Sequence, residues 1–479
     1  MKSIIKYTAW IMLITFTISG CKKYEHFQKN PNYPSMVDPS QLLTGICYEL
    51  FYINNADPDY ASRYLAYFER GNSSVDYSWN TSSFDDYNTL RQVMRMDSLA
   101  KATDQQQYLG LTKLFRAILF SQLTETFGDI PYSEAMLGLG NPKPAYDNQE
   151  SIYKGLLQEL DEANTLLDNT KGEIKGDIVY GGFASQWKKM ANAFKLRLLI
   201  HLSRKESNTN LNIKTQFQNI ISDPVKYPLF ENNADNAKLA FNESAQNNYY
   251  PTYGYQSLST EVRLEKGFAK ILKDRSDPRL FALAEPISGL PANDFNNYEG
   301  VDAGLPFTEQ KTFKATTSGI KSRYYTNKIN EPWIFIGYAE QEFLIAEAIS
   351  RNWITGAGTA KEHYEKGIAA SMNFYNVNIG AYLSNPLVDF DAANALSQIA
   401  IQKYIAMFMN SSWEAFIEQR RTGIPTFSVG PGTLNDGKVP KRWLYPDNER
   451  TNNSDNVTQA IQSQFGGTDD TNAEMWLIK

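Results

Sequence analysis

Apolar residues recur at helical spacing in segment after segment of this chain, and strand-like alternation is scarce and short. One apolar stripe per helix commits such a chain to burying helix against helix. The pattern predicts helices near 40–55, 83–103, 105–127, 148–169, 183–205, 211–221, 259–274, 334–352, 359–378, 392–410 and 411–421. Strands are expected only around 178–180 and 322–330. Four segments, 69–82, 222–258, 281–320 and 422–475, hold much Asn, Gly, Ser, Pro and Tyr and read as loops. Loops that long inside a compact chain usually carry function. The expected class is mostly α, with a lobe of long irregular loops and few short strands.

The helices come in pairs with short joints. "AEQEFLIAEAI" is followed by a Gly-rich turn and "AKEHYEKGIAASMNFY", with Ala346 and Ala348 beside the large Phe343, Leu344 and Tyr364. Small-beside-large pairs of this kind suit tetratricopeptide-like repeats, in which small residues let helices approach. Asn148 is placed to cap one helix, and Gly128 to end another.

The N-terminus follows different rules. Lys2 and Lys6 precede a short apolar run, Ala9 to Ile18, which is well below the roughly 20 residues that span a bilayer. Ser19 and Gly20 then supply small residues, completing the pattern of a secretory signal peptide. Ile18-Ser19-Gly20-Cys21 resembles the bacterial lipoprotein box, whose cysteine is acylated. The expected organisation is a lipoprotein signal peptide at 1–20 and a tether at 21–39, extended by Pro31, Pro34 and Pro39. Residues 40–479 are expected to form a single helical domain. Cys21 is the expected lipidation site, carrying palmitate or similar chains; two or more such chains anchor durably. Cys47 sits in an apolar helical pattern and reads as a small buried thiol.

A formal net charge of -6, with no long block of like charge, argues against nucleic acid as partner. His26, His201 and His363 are scattered, none at a metal-ligand spacing, so no metal or cofactor is expected. No Gly-x-Ser-x-Gly elbow, His-Glu-x-x-His helix or phosphate-binding loop occurs, and Asp85, Asp86, Glu261 and Asp294 show no spacing that singles out a catalytic pair. Trp187, Trp333 and Trp413 lie among helical apolar residues and read as packing. Asp129 reads as the cap of a neighbouring turn. Arg420 and Arg421 read as helix-closing cations that pair with acids.

Collinear motifs extend along the chain: "ETFGDIPYSEA" (125–135), "PAYDNQESIYKGLLQELDEA" (144–163), "GDIVYGGFASQWKKMANAFKLRLLIHLSR" (176–204), "SDPRL" (276–280), "EPWIFIGYAEQEFLIAEA" (331–348), "WEAFIEQRRTGIP" (413–425) and "KRWLYPDNER" (441–450). Together with the lipoprotein box they resemble the SusD/RagB-like outer-membrane nutrient-binding lipoproteins, nearest to the second SusD-like group. The resemblance implies a SusD-like helical superhelix at the outer membrane, partnered by a SusC-like TonB-dependent transporter. It implies capture of a nutrient, an oligosaccharide or a peptide, without catalysis. The residues after Cys21, "KKYEHF", carry one acid and fit poorly the acidic surface-export signals of such lipoproteins.

Aromatic residues make up 13% of the chain; most must fill the core, while the Tyr excess leans slightly toward exposed rings, because Tyr keeps a polar tip for water or ligand. Two aromatic loops are therefore the candidate ligand contacts. "ERGNSSVDYSWNTSSF" offers Arg70, Tyr77 and Trp79, and "NNYYPTYGYQS" offers Tyr249, Tyr250, Tyr253 and Tyr255. The competing expectation is that these rings pin their loops to the body. The rival functions are a glycan-degrading enzyme and a purely structural subunit of a transporter.

Overall fold

The computed structural model describes residues 37–52, 56–69, 71–168 and 172–479. The signal peptide, Cys21, Arg70 and most of the tether lie outside the described residues. The longer helices are α1 (Ser40–Phe51), α2 (Asp86–Ala102), α3 (Gln106–Phe127), α4 (Gln149–Leu166), α5 (Ala184–His201), α6 (Ile213–Ser222), α7 (Lys266–Asp274), α8 (Tyr338–Ser350), α9 (Ala360–Phe374), α10 (Ala395–Ala406), α11 (Glu414–Thr422) and α12 (Ser454–Phe465). The strands are β1 (Leu65–Tyr67), β2 (Ala237–Leu239), β3 (Val262–Leu264) and β4 (Trp333–Ile336), paired antiparallel as β1 with β3 and β2 with β4. The fold is mostly α, as the periodicity predicts.

Helices α2, α3, α4 and α5 pack in succession, α5 packs on α8, and α8 packs on both α9 and α10. Small residues set the close approaches. A Cβ added to Gly367 of α9 would stand 2.6 Å from the Phe343 ring of α8. Gly128 stops α3 at φ +92°, where a Cβ would meet the Gln464 side chain. Asn148 accepts from the Ser151 N–H and starts α4. Asp129 accepts from the Gln149 N–H at 2.9 Å, capping the helix that follows its own turn; burial pushes its carboxyl up to about 7.

Four expectations need correction. The run at 334–352 does not begin as helix: Trp333–Ile336 is a strand, because a short apolar run has no period of its own. The run at 259–274 is split by β3. Neither expected strand forms. Near 178–180 the Asp177 carboxylate takes the N–H groups of Val179, Tyr180 and Gly182, so these cannot join a ladder, and Arg323–Thr326 is a helical turn. The loop expected over 422–475 contains Asp447–Asn452 and α12.

The Tyr excess also resolves differently. Tyr64, Tyr77, Tyr375, Tyr404 and Tyr445 are buried, and each hydroxyl donates to a backbone carbonyl. Loop carbonyls that turn inward must find donors. Tyrosine supplies the donor on an apolar body. Cys47 is buried and unbridged, and Trp187 and Trp333 are packed, as expected.

Candidate functional site

A cleft of about 700 Å³ opens where α1, the start of α2, the second half of α3, α5 and α11 meet. Its floor is charged. His201, at the end of α5, lies 2.7 Å from Glu125 Oε1 through Nδ1 and 2.8 Å from Glu414 Oε1 through Nε2. Arg197, one turn earlier, makes a bidentate pair with Glu340, 2.6 Å on each arm. Burial alone would lower the His201 pKa, but Glu125 and Glu414 outweigh it and raise it to about 10. For Glu414, burial opposes ionisation, yet His201 and Arg197 hold its carboxyl down at about 2.

Glu418 continues the network, with Lys403 Nζ at 3.3 Å and Arg421 at 2.7 Å; Arg421 also binds Glu347 at 2.6 Å. Ligand atoms of His201, Glu414 and Glu418 come within 4.8 Å of one another, a spacing that could hold a metal ion. The neighbours argue otherwise: Lys403 and Arg421 already supply positive charge to Glu414 and Glu418, and both His201 nitrogens are taken by carboxylates. Arg421 pairs with acids as expected. Arg420 instead donates to the carbonyls of Glu125 and Lys441.

One wall is aromatic. Trp443 stacks on Trp79 with centroids 4.0 Å apart, and Trp413 stands edge-on to both. Trp443 and Trp413 are half-buried and line the cleft, whereas Trp79 is buried behind Trp443. Trp413, expected only to pack, thus also forms a cleft surface. A second pair, Tyr48 and Tyr52, stacks at 4.5 Å on the cleft lining.

Between these rings lie Thr81, Ser83, Asp86 and Ser412. Burial, with the neighbouring Asp85, pushes the Asp86 carboxyl up to about 6. The backbone before α11 is strained: Met409, Ser411 and Ser412 all have φ between +52° and +59°. Non-glycine residues held there cost of order 1–3 kcal/mol each, and such strain gathers at functional sites. Here the Asp59 carboxylate accepts from Met409 N–H, and Ser411 N–H donates to Ile334, holding the segment against the cleft.

The loop residues chosen from sequence fare unevenly. Tyr77 is buried, with its hydroxyl on the Ala61 carbonyl and the Arg63 guanidinium 4.0 Å above its ring. Tyr250 is buried and accepts from Trp333 Nε1. Tyr77, Trp79 and Tyr250 therefore pin their loops and present no open ring face, a correction to their expected ligand contact. Tyr249 and Tyr253 are half-buried and edge-to-face, with Lys328 Nζ 5.1 and 5.9 Å from their centroids. Tyr255 is exposed. Burial, then Tyr48, raises the Tyr52 phenol to about 12, with a smaller contribution from Tyr255. The cleft residues that sequence missed, Trp443, Tyr48, Tyr52 and Asp86, carry no local signal beyond aromatic or acidic type.

A family model described as SusD-like, starch-binding and associating with the outer membrane, matches residues 31–446. A solved SusD homologue from Bacteroides fragilis NCTC 9343 is 37% identical, with a TM-score of 0.86 over 93% of this chain and 100% of its own. A Bacteroides vulgatus ATCC 8482 protein, described in terms of nutrient binding at the outer membrane, is 33% identical, with a TM-score of 0.85 over 92% of this chain and 100% of its own. A chitin-binding protein is 25% identical, with a TM-score of 0.74 over 92% and 99%. No curated protein matches the sequence.

Proposed function

The chain belongs to the SusD-like family of starch-binding, outer-membrane-associated proteins, and on that footing we propose that it captures an oligosaccharide in the cleft beside Trp443 and passes it to a SusC-like TonB-dependent transporter. One arrangement carries this reading: an aromatic wall over a cleft whose charged floor is neutralised from within. Trp443 and Trp413 offer ring surface to a sugar, and Thr81, Ser83, Asp86 and Ser412 offer partners for hydroxyls. Among the described residues of the cleft, Arg197 and His201 are paired with carboxylates and Arg420 is spent on backbone carbonyls, which favours a neutral glycan over a charged peptide. Acylation at Cys21 would hold the site beside the membrane pore.

Hydrolysis would need two carboxylates facing each other across a scissile bond, one protonated and one not. Glu125 and Glu414 are instead bridged by one protonated His201 and are both committed to it. Binding without chemistry fits that floor. The test is retention of the detergent-extracted protein on a panel of immobilised glycans and peptides. Wild type should be held by a glycan and released by Trp443→Ala. Equal retention of both forms would sink the cleft as the site, and release of reducing ends would overturn the non-enzymatic reading.

A further inference from the structure

We propose that the cleft is one end of a groove that takes a linear oligosaccharide lengthwise, so that chain length sets affinity. This rests on the cleft being the sugar site. Beyond Trp443 lie two further hollows. One, of about 340 Å³, lies between Asn80–Ser83 and Leu444–Arg450. The next, of about 310 Å³, is bounded by Phe84, Tyr87, Arg91, Met136 and Asn448. The first hollow shares Thr81, Ser82 and Ser83 with the cleft, and the two hollows share Ser83 and Asn448. Ser83 lines all three.

The floor of this path is fastened. Ser82 Oγ donates to the Leu444 carbonyl at 2.5 Å, tying together the two segments that line the first hollow. Tyr87 and Tyr445 donate to the carbonyls of Pro131 and Asp129 at 2.5 and 2.6 Å. The far hollow thus has a fixed backbone. Rings stand at both ends, Trp443 at the cleft and the half-buried Phe84–Tyr87 pair, 5.3 Å apart, at the far end. Between them Asn80, Thr81, Ser83 and Asn448 offer exposed amides and hydroxyls, beside the exposed Asp447 and an Arg450 that is paired with Asp469. Rings at the ends and hydrogen-bonding groups between suit a chain of sugars, each unit with an apolar face and a hydroxyl edge. A single sugar would engage one end only.

The test is titration calorimetry of the full-length protein in detergent with α-1,4-linked glucose oligomers of increasing length, and with β-1,4-linked N-acetylglucosamine oligomers likewise. In at least one series, affinity should rise roughly tenfold from dimer to hexamer, equivalent to about one or two net hydrogen bonds. Ser83→Trp should flatten that rise, and Arg91→Ala, at the far hollow alone, should lower the hexamer toward the shorter oligomers. A dimer that binds as tightly as the hexamer would defeat the groove and leave the cleft standing. Failure of both series to bind would defeat the groove and the sugar cleft together.

Discussion

His201 Nε2 lies 2.8 Å from Glu414 Oε1, with the second ring nitrogen 2.7 Å from Glu125 Oε1 and every partner buried. Removing one member of such a buried ion pair leaves uncompensated charge and costs about 3–5 kcal/mol. His201→Gln should therefore lower the melting temperature markedly. The pH dependence has a definite sign. With a folded pKa of about 10, against roughly 6.5 when unfolded, the His201 contribution is complete below about pH 6.5 and drains away as pH climbs toward about 10. Thermal melts from about pH 7 to about pH 10 should show wild type losing stability more steeply than His201→Gln. Parallel profiles would contradict a protonated His201.

Trp79 and Trp443 stack at 4.0 Å, but only Trp443 faces the cleft. Trp79→Ala empties a buried site and should cost about 3–5 kcal/mol, with ligand retention falling because Trp443 loses its backing. Trp443→Ala removes a half-buried ring and should cost less stability but more retention. Differential scanning calorimetry paired with glycan-column retention separates the two. The reverse ranking would mean that the cleft is not the binding surface.

The helices were legible because their period and caps agree: Asn148 and Gly128 bound α4 and α3 where sequence places them. Trp333–Ile336 was not, since an apolar run that passes straight into a helix hides a short strand. The site was the least legible part. His201 and Glu414 stand 213 residues apart in sequence, and only the packing of α5 against the start of α11 brings them together. The aromatic loops drew attention for the right residue type, but aromatic content cannot say which ring faces out. Trp79 turned inward, and its stacking partner Trp443 took the exposed face.

Cys21 should carry the membrane attachment. In cells fed a clickable palmitate analogue, wild type should label and sediment with the outer membrane. Cys21→Ala should lose the label and appear in the soluble fraction. Each acyl methylene buried contributes about 0.8 kcal/mol, so loss of two or more chains should release nearly all of the protein. Wild type that took up no label, or a Cys21→Ala variant that kept it, would refute the lipid anchor at Cys21.

Asp86 lines the cleft, and no hydrogen bond to its carboxyl is present among the described residues. Burial, then the neighbouring Asp85, raises its pKa to about 6. Against a sugar bound in the cleft, the ionised carboxylate would accept from hydroxyls through charge-assisted bonds, which are about twice as strong as neutral ones. Ligand affinity should therefore strengthen as pH rises through about 6, and Asp86→Asn should flatten that profile. Stability runs the other way. The folded state keeps this proton at a pH where the unfolded chain has released it, so stability falls as pH rises from about 4 through about 6. Asp86→Asn should thus be the more stable form at neutral pH while binding ligand more weakly, a split that melting and calorimetry on the same samples would detect. If Asp86→Asn kept the wild-type pH profile of binding, Asp86 would not touch the ligand.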